Sequence, residues 1–205
     1  MNKILEVKIK ISAFKVLKKE VNFKELIQVL KEMERSKKRG EPWLKFPECE
    51  TEKDLESREL IGEAILLYRA LKNIREIKEA ERIVREVIIR SAVTQLNFLI
   101  PLIKREKLLK MGEEDRSAFF EGIIDKFPNA DYELVEENSK RYKFDIVRCR
   151  LVDLIIKAGH PELMDAFCAG DGIYFSMCQP EVLFSRQHMI GKGAEKCDFE
   201  FRIKD

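Results

Sequence analysis

A thiol and a carboxylate three residues apart, Cys168 and Asp171, are the pair in this 205-residue chain whose types and spacing most directly suggest chemistry. Residues three apart on a helix share a face, so the two groups can meet. Together they can supply a nucleophile and a proton acceptor, or hold a water and its base. A neighbouring carboxylate alone raises a thiol's pKa, so a thiolate also needs a cation nearby. Arg186 and His188 offer one. They are spaced by two in an alternating run over residues 181–190 and so point from one face of a predicted strand. A second reading stays open beside this one, with Cys168 a small buried apolar residue and Asp171 a helix-end group.

Three thiols and an imidazole, Cys168, Cys178, Cys197 and His188, also have the ligand types of a zinc site. Nine, nine and eight residues separate them in chain order, with no C-x2-C knuckle, and no metal is expected. Cys149 reads as a strand residue of the core and Cys178 as a turn residue. Tyr174, just past the Cys168–Asp171 turn, can line the same pocket or simply pack. The Gly191-Lys192-Gly193 turn is too short to signal phosphate binding. The chain has no P-loop, dinucleotide fingerprint or serine elbow, and no cofactor is expected.

These groups are concentrated. Residues 149–205 hold four of the five cysteines, both histidines and five of the nine glycines. The elements that must position them follow from hydrophobic periodicity. Residues 3–11 alternate partly and read as a short strand or a helix start. Asn22 and Glu25 form a capping box, followed by Phe23, Leu26, Ile27, Leu30 and Met33 as one helical stripe. Residues 41–50, with Trp43 as a packing anchor, read as a loop. Thr51 and Asp54 form a second capping box, before a helix with Leu55, Ile61, Ile65, Tyr68 and Leu71 on one face. A longer helix runs from about Ile74 to Pro101; its second half, apolar on most sides, reads as the central core helix. A shorter helix covers about 113–127 and breaks at Pro128-Asn129-Ala130-Asp131.

The period then changes from 3.6 to 2. Residues 132–137 and 141–150 read as strands joined by a tight turn at Asn138-Ser139-Lys140. Two helices follow, over 152–158 and from His160-Pro161-Glu162 onward. Residues 181–190 and 197–203 read as two more strands. The expected fold class is α+β: a helical part, residues 1–128, packed on a ββ-αα-ββ unit, residues 129–205, with a small antiparallel sheet.

An odd number of irregularly spaced cysteines fits a reducing compartment. No apolar run approaches the roughly 18 residues needed to span a bilayer. The opening MNKILEVKIK lacks the apolar core of a signal peptide, so a cytoplasmic location is expected. Residues 1–40 carry 12 Lys/Arg against five acids and the remainder 27 against 32, so a basic N-terminal helix precedes an acidic remainder. The basic helix reads as a solvated face. The expected partner is a small molecule, with no nucleic acid and no membrane, and a homodimer is open.

The order Cys168-x-x-Asp171, Phe184-x-Arg186, then Gly193-x-x-x-Cys197-Asp198-Phe199-x-Phe201 resembles the C-terminal signature of the L-2-amino-thiazoline-4-carboxylic acid hydrolase-like family. One departure is Ala194, where many members carry an acidic residue. The ending is also similar to small-molecule-binding domains of vinyl-reductase type. The first resemblance implies a hydrolase that opens a small cyclic amidine acid to N-carbamoyl-L-cysteine. On it, Cys168, Asp171 and His188 are the catalytic candidates. Arg186 and Tyr174 contact substrate, and Gly193, Cys197, Asp198 and Phe199 form the structural motif. Attack by Cys168 and attack by a water based on Asp171 stand as equals. The second resemblance implies a non-catalytic ligand-binding or sensor module, and a cysteine–histidine metal-binding protein is the remaining alternative.

Overall fold

The computed structural model describes residues 2–49, 51–127, 130–138 and 140–204. Glu50, at the end of the expected loop, lies outside them. So do Pro128 and Asn129 of the expected helix break and Ser139 of the expected hairpin turn.

The chain is α+β. Among the described residues six α-helices come first: α1 (Lys3–Glu20), α2 (Phe23–Lys38), α3 (Glu52–Lys72), α4 (Ile77–Leu99), α5 (Arg105–Lys110) and α6 (Glu113–Ile124). Then follow β1 (Ala130–Glu137), β2 (Arg141–Cys149), α7 (Arg150–Lys157), α8 (Met164–Cys178), β3 (Val182–Ser185) and β4 (Cys197–Ile203). The sheet is antiparallel, in the order β1-β2-β4-β3.

Local chemistry sets several boundaries. Both capping boxes form: Asn22 with Glu25 opens α2, and Thr51 with Asp54 opens α3. Residues 3–11 are helical, because Asn2 accepts a hydrogen bond from the Ile4 amide and starts α1 instead of a strand. The stripe expected on α2 divides. Leu26 and Val29 turn inward, whereas Phe23, Ile27 and Leu30 face solvent. Ile27 lies four residues after Phe23 and Leu30 three after Ile27, so these three share one side of the helix while Leu26 turns to another, and one neighbour does not cover the whole apolar arc.

Two cores share the interior. The aliphatic one joins Leu26 and Val29 to Ile61, Ile65 and Leu71 of α3 and Ile83, Val84 and Ile88 of α4. α3 is the most deeply enclosed helix, from Ile61 to Leu71. The half of α4 expected at the centre is not: Asn97 and Phe98 are exposed, and its sealed face lies earlier, from Ala80 to Ile89. Gly62 admits the Trp43 indole, since a Cβ there would stand 2.6 Å from the ring.

The second core is aromatic. In register, Tyr142 faces Phe201 and Phe144 faces Phe199 across β2 and β4, and Phe184 faces Phe201 across β3 and β4. Phe120 of α6 stacks on Tyr142 at 4.5 Å, and Phe175 of α8 lies 4.6 Å from Phe201. Such ring pairs add roughly 0.5–1.5 kcal/mol each beyond their buried area. α7 packs on α3 in the aliphatic core, so only one helix of the expected central pair, α8, covers the sheet. α8 contributes to both cores: Met164 and Ala166 to the first, Tyr174 and Phe175 to the second.

Candidate functional site

α8 carries both members of the thiol–carboxylate pair and fixes them by close packing. At Gly170, a Cβ would come within 2.8 Å of the Ala92 methyl on α4, so glycine lets the two helices approach. Asp171 follows on the side toward β3. Gly172 comes next, and a Cβ there would meet open space.

Arg186 is the first residue past β3. Its Nη1 donates to Asp171 Oδ2 at 3.2 Å, and its Nη2 donates to the Cys168 carbonyl oxygen. The guanidinium lies over the Phe199 ring at 5.1 Å and near Phe184 at 6.0 Å. Its side chain is only 10 % exposed. Phe199 therefore supports the cation from below while Asp171 holds one of its edges.

The pair does not fully compensate the aspartate. Burial pushes the Asp171 carboxyl up to about 6, against the opposing pull of the Arg186 charge and hydrogen bond. Burial also pushes the Cys168 thiol up to about 12, and only the Arg186 charge opposes it. The thiol sits under the turn after β3, where a Cβ on Gly191 would stand 2.7 Å from its sulfur. Cys168 is thus a neutral, half-covered thiol near pH 7, and Asp171 titrates next to neutrality.

An open cleft of about 350 Å³ lies beside this corner, walled by Gly172, Phe184, Ser185, Arg186, Gln187 and Met189. That is within the range of small-molecule sites, about 300–1,000 Å³. Arg186 is the charged group in its wall.

The expected strand over 181–190 stops at Ser185. The reason is Asp198, whose Oδ1 accepts from the Gln187 and His188 amides at 2.9 and 2.6 Å. This clamp diverts the backbone, so Arg186 and His188 do not share a strand face. His188 turns outward: its side chain is 63 % exposed, and its Nδ1 lies 2.9 Å from Asp198 Oδ2. Burial opposes ionisation of Asp198, but the bonds from the His188 amide and ring and the Gln187 amide hold its pKa below the ordinary value. His160 is remote as well, with Nδ1 at 3.0 Å from Glu162 and Nε2 accepting from Arg69 Nε at 3.2 Å.

Tyr174 is fully buried and belongs to a different hydrogen-bonded group. Its hydroxyl donates to the Ile100 carbonyl at 3.4 Å and accepts from Gln179 Nε2 at 2.7 Å. Gln179 also donates to the Pro101 carbonyl and accepts from the Ile103 amide, so the pair ties the end of α8 to the segment after α4. Cys197 is buried, and its sulfur accepts from the Ile190 amide at 3.2 Å. Gly193 has φ +89°, the left-handed region that closes the turn before β4. Among the described residues no group of three or more His, Cys, Asp or Glu side chains gathers as a metal site.

The structure thus unites Cys168, Asp171, Arg186 and Phe199, with Asp198 holding the loop that carries Arg186. It leaves His188 and Tyr174 apart from them. Gly172, Gln187 and Met189 enter the cleft without having been singled out from the sequence. Gly172 had a readable signal, because two glycines flanking Asp171 inside a helix imply a close approach or an open space.

The family model for L-2-amino-thiazoline-4-carboxylic acid hydrolase matches residues 55–201, from α3 into β4. The chain belongs to this family. Membership supports a hydrolase-like function, and the match contains the whole Cys168–Asp171–Arg186 corner. No curated protein matches the chain. Helices α1 and α2 lie ahead of the matched residues. Among the described residues no helix is long and apolar enough to cross a membrane.

Proposed function

We propose that the chain hydrolyses a small cyclic amidine carboxylate, such as L-2-amino-thiazoline-4-carboxylate, in the cleft beside Arg186. The observation that carries this reading is Asp171, a buried carboxylate raised to about 6 and held by an arginine in a cleft wall. A base poised just below neutral pH is ionised at pH 7 and still able to return a proton.

Arg186 presents its cationic edge to the substrate carboxylate while keeping its bond to Asp171. Asp171 takes a proton from water as the water oxygen bonds to the ring carbon flanked by two nitrogens and sulfur. The carbon–sulfur bond then breaks, with its electron pair going to sulfur. Of the two protons from water, one ends on the ring nitrogen. The other ends on sulfur, delivered by Asp171. The product is N-carbamoyl-L-cysteine.

Two observations favour water over Cys168 as the nucleophile. With a pKa near 12, about one thiol in 10⁵ is ionised at pH 7. The tetrahedral adduct of Cys168 on the ring carbon would also carry two sulfur leaving groups of similar basicity and would partition backward as readily as forward. The outward placement of His188 supports Asp171 as the proton carrier in both directions.

The test is incubation of the purified chain with L-2-amino-thiazoline-4-carboxylate, with N-carbamoyl-L-cysteine followed by mass spectrometry. Time-dependent product that scales with enzyme is the expected result. Saturable binding with no product at any pH near neutrality would instead support a ligand-binding module and remove the hydrolase reading.

A further inference from the structure

α1 shows an outward face of unusual composition. Ile4, Val7, Ile11 and Phe14 recur at helical spacing and are 61, 55, 49 and 47 % exposed. They form one stripe along the solvent side. The charged residues exposed on α1 from Lys3 to Lys19 are lysines, apart from Glu6, whose side chain is 42 % exposed. Lys10 is paired with Glu6, and Lys8 lies over the Phe98 ring at 5.1 Å. Among the described residues, Lys3, Lys15, Lys18 and Lys19 make no ion pair.

The opposite side of α1 is fully engaged. Leu5, Val16 and Leu17 are buried, Ser12 donates to the Arg90 carbonyl, and Glu20 pairs with Arg82. These contacts run α1 antiparallel along α4. The outer stripe is therefore not the helix's packing face left over by a fold still to be completed: α1 already has a packed side, and the apolar stripe is additional.

We infer that α1 is an interfacial helix that lays this stripe on an anionic phospholipid surface. The charge pattern selects that occupant. Lysines flanking an apolar stripe suit a headgroup boundary, where the apolar side chains sink about 5–10 Å and the ammonium groups reach back to phosphate. A second copy docked symmetrically on the same face would set lysines against lysines. Nucleic acid would satisfy the lysines but leave Ile4, Val7, Ile11 and Phe14 in water. The sequence alone reads this helix as a solvated face with no membrane partner; the four exposed apolar side chains change that reading. The inference is independent of the proposed reaction, since α1 lies outside both the cleft and the family match.

The experiment is flotation of the full chain with vesicles of phosphatidylcholine and phosphatidylglycerol in a roughly 2:1 ratio, against pure phosphatidylcholine. The chain floats with the anionic vesicles only, and less so as salt rises from about 0.01 to 0.1 M and shortens the screening length. Lys15→Gln with Lys18→Gln lowers the partition by about 25-fold, near fivefold per lysine. Ile11→Ser with Phe14→Ser also releases the chain from vesicles, while circular dichroism stays unchanged because these side chains are exposed. Absence of flotation at low salt overturns the inference. So does duplex DNA binding that survives Ile11→Ser with Phe14→Ser, or a dimer in sedimentation that this double variant abolishes. If either double variant fails to fold, the lipid and salt series on the unaltered chain still decides.

Discussion

Arg150 and Arg186 are both buried arginines hydrogen-bonded to aspartate, yet they leave their partners in opposite electrostatic states. Arg150 divides its guanidinium between Asp54 at 2.7 Å and Asp131 at 2.8 Å. Burial opposes ionisation of Asp54, but the bonds from Thr51 and Arg150 outweigh it and hold the carboxyl below its ordinary range. Asp54 also caps α3, so this arginine ties the start of α3 to β1 and α7. Arg186 instead bonds one aspartate and one backbone carbonyl, and burial wins at Asp171. A bridge between two carboxylates braces the fold. A single pair that leaves its carboxylate near neutral titration, beside a cleft, is suited to moving protons.

The sharpest way to break this comparison is to neutralise each aspartate. Asp171→Asn should lower kcat/KM for ring opening by about 10²–10⁴, the usual range for losing a general base. It should not lower Tm near pH 7. The folded state raises the Asp171 pKa, so its charge costs stability; that cost grows as pH rises from the ordinary carboxylate range through about 6 and persists above. Asp54→Asn should do the reverse, lowering Tm at pH 7 with turnover by the folded protein retained. A Tm drop for Asp171→Asn as large as for Asp54→Asn would erase the distinction.

Arg150→Ala comes next in size. It removes one of the bonds that hold the Asp54 carboxylate, which keeps those from Thr51, and losing a hydrogen bond to a charged group typically costs about 1.5–3 kcal/mol. The half-exposed Asp131 places the expected loss near the lower end. Urea unfolding at pH 7 measures it.

A smaller effect tests how tightly the turn seals the thiol. Gly191→Ala forces its new methyl against the Cys168 sulfur and Met164 and should cost about 1–3 kcal/mol. Cys168→Ala in the same chain removes the obstructing sulfur, so the double variant should recover part of the loss. Additive losses by thermal denaturation would contradict the packing described for this corner.

The smallest effect is at Gly172. Its added Cβ meets nothing, so Gly172→Ala should stabilise α8 by about 0.5–1 kcal/mol. The same methyl enters the cleft wall and should raise KM for the thiazoline acid. A stability gain with unchanged KM would place substrate elsewhere.

Much of this arrangement was legible in the sequence because it rests on local chemistry. The capping boxes at Asn22 and Thr51, the alternation in β2 and β4, and the Cys168–Asp171 spacing are all short-range signals. What was hidden depends on distant partners. Nothing near residue 187 announces that Asp198 will grip two amides and end β3 at Ser185, yet that clamp separates His188 from Arg186. The α2 stripe was ambiguous for a similar reason: periodicity reports an apolar arc, and only the neighbour decides which part is covered. Tyr174 follows Asp171 by three residues, but Gln179 draws its hydroxyl toward Ile100 and away from the cleft.

The most direct test of the central claim is the pH dependence of kcat/KM for N-carbamoyl-L-cysteine formation. If Asp171 must be ionised, the value rises about tenfold per pH unit below about 6 and levels off above it. Arg186→Gln, which removes the opposing cation, moves that inflection to higher pH. A profile flat through pH 6 that climbs only in the alkaline range where thiols ionise would contradict the account and return the chemistry to Cys168.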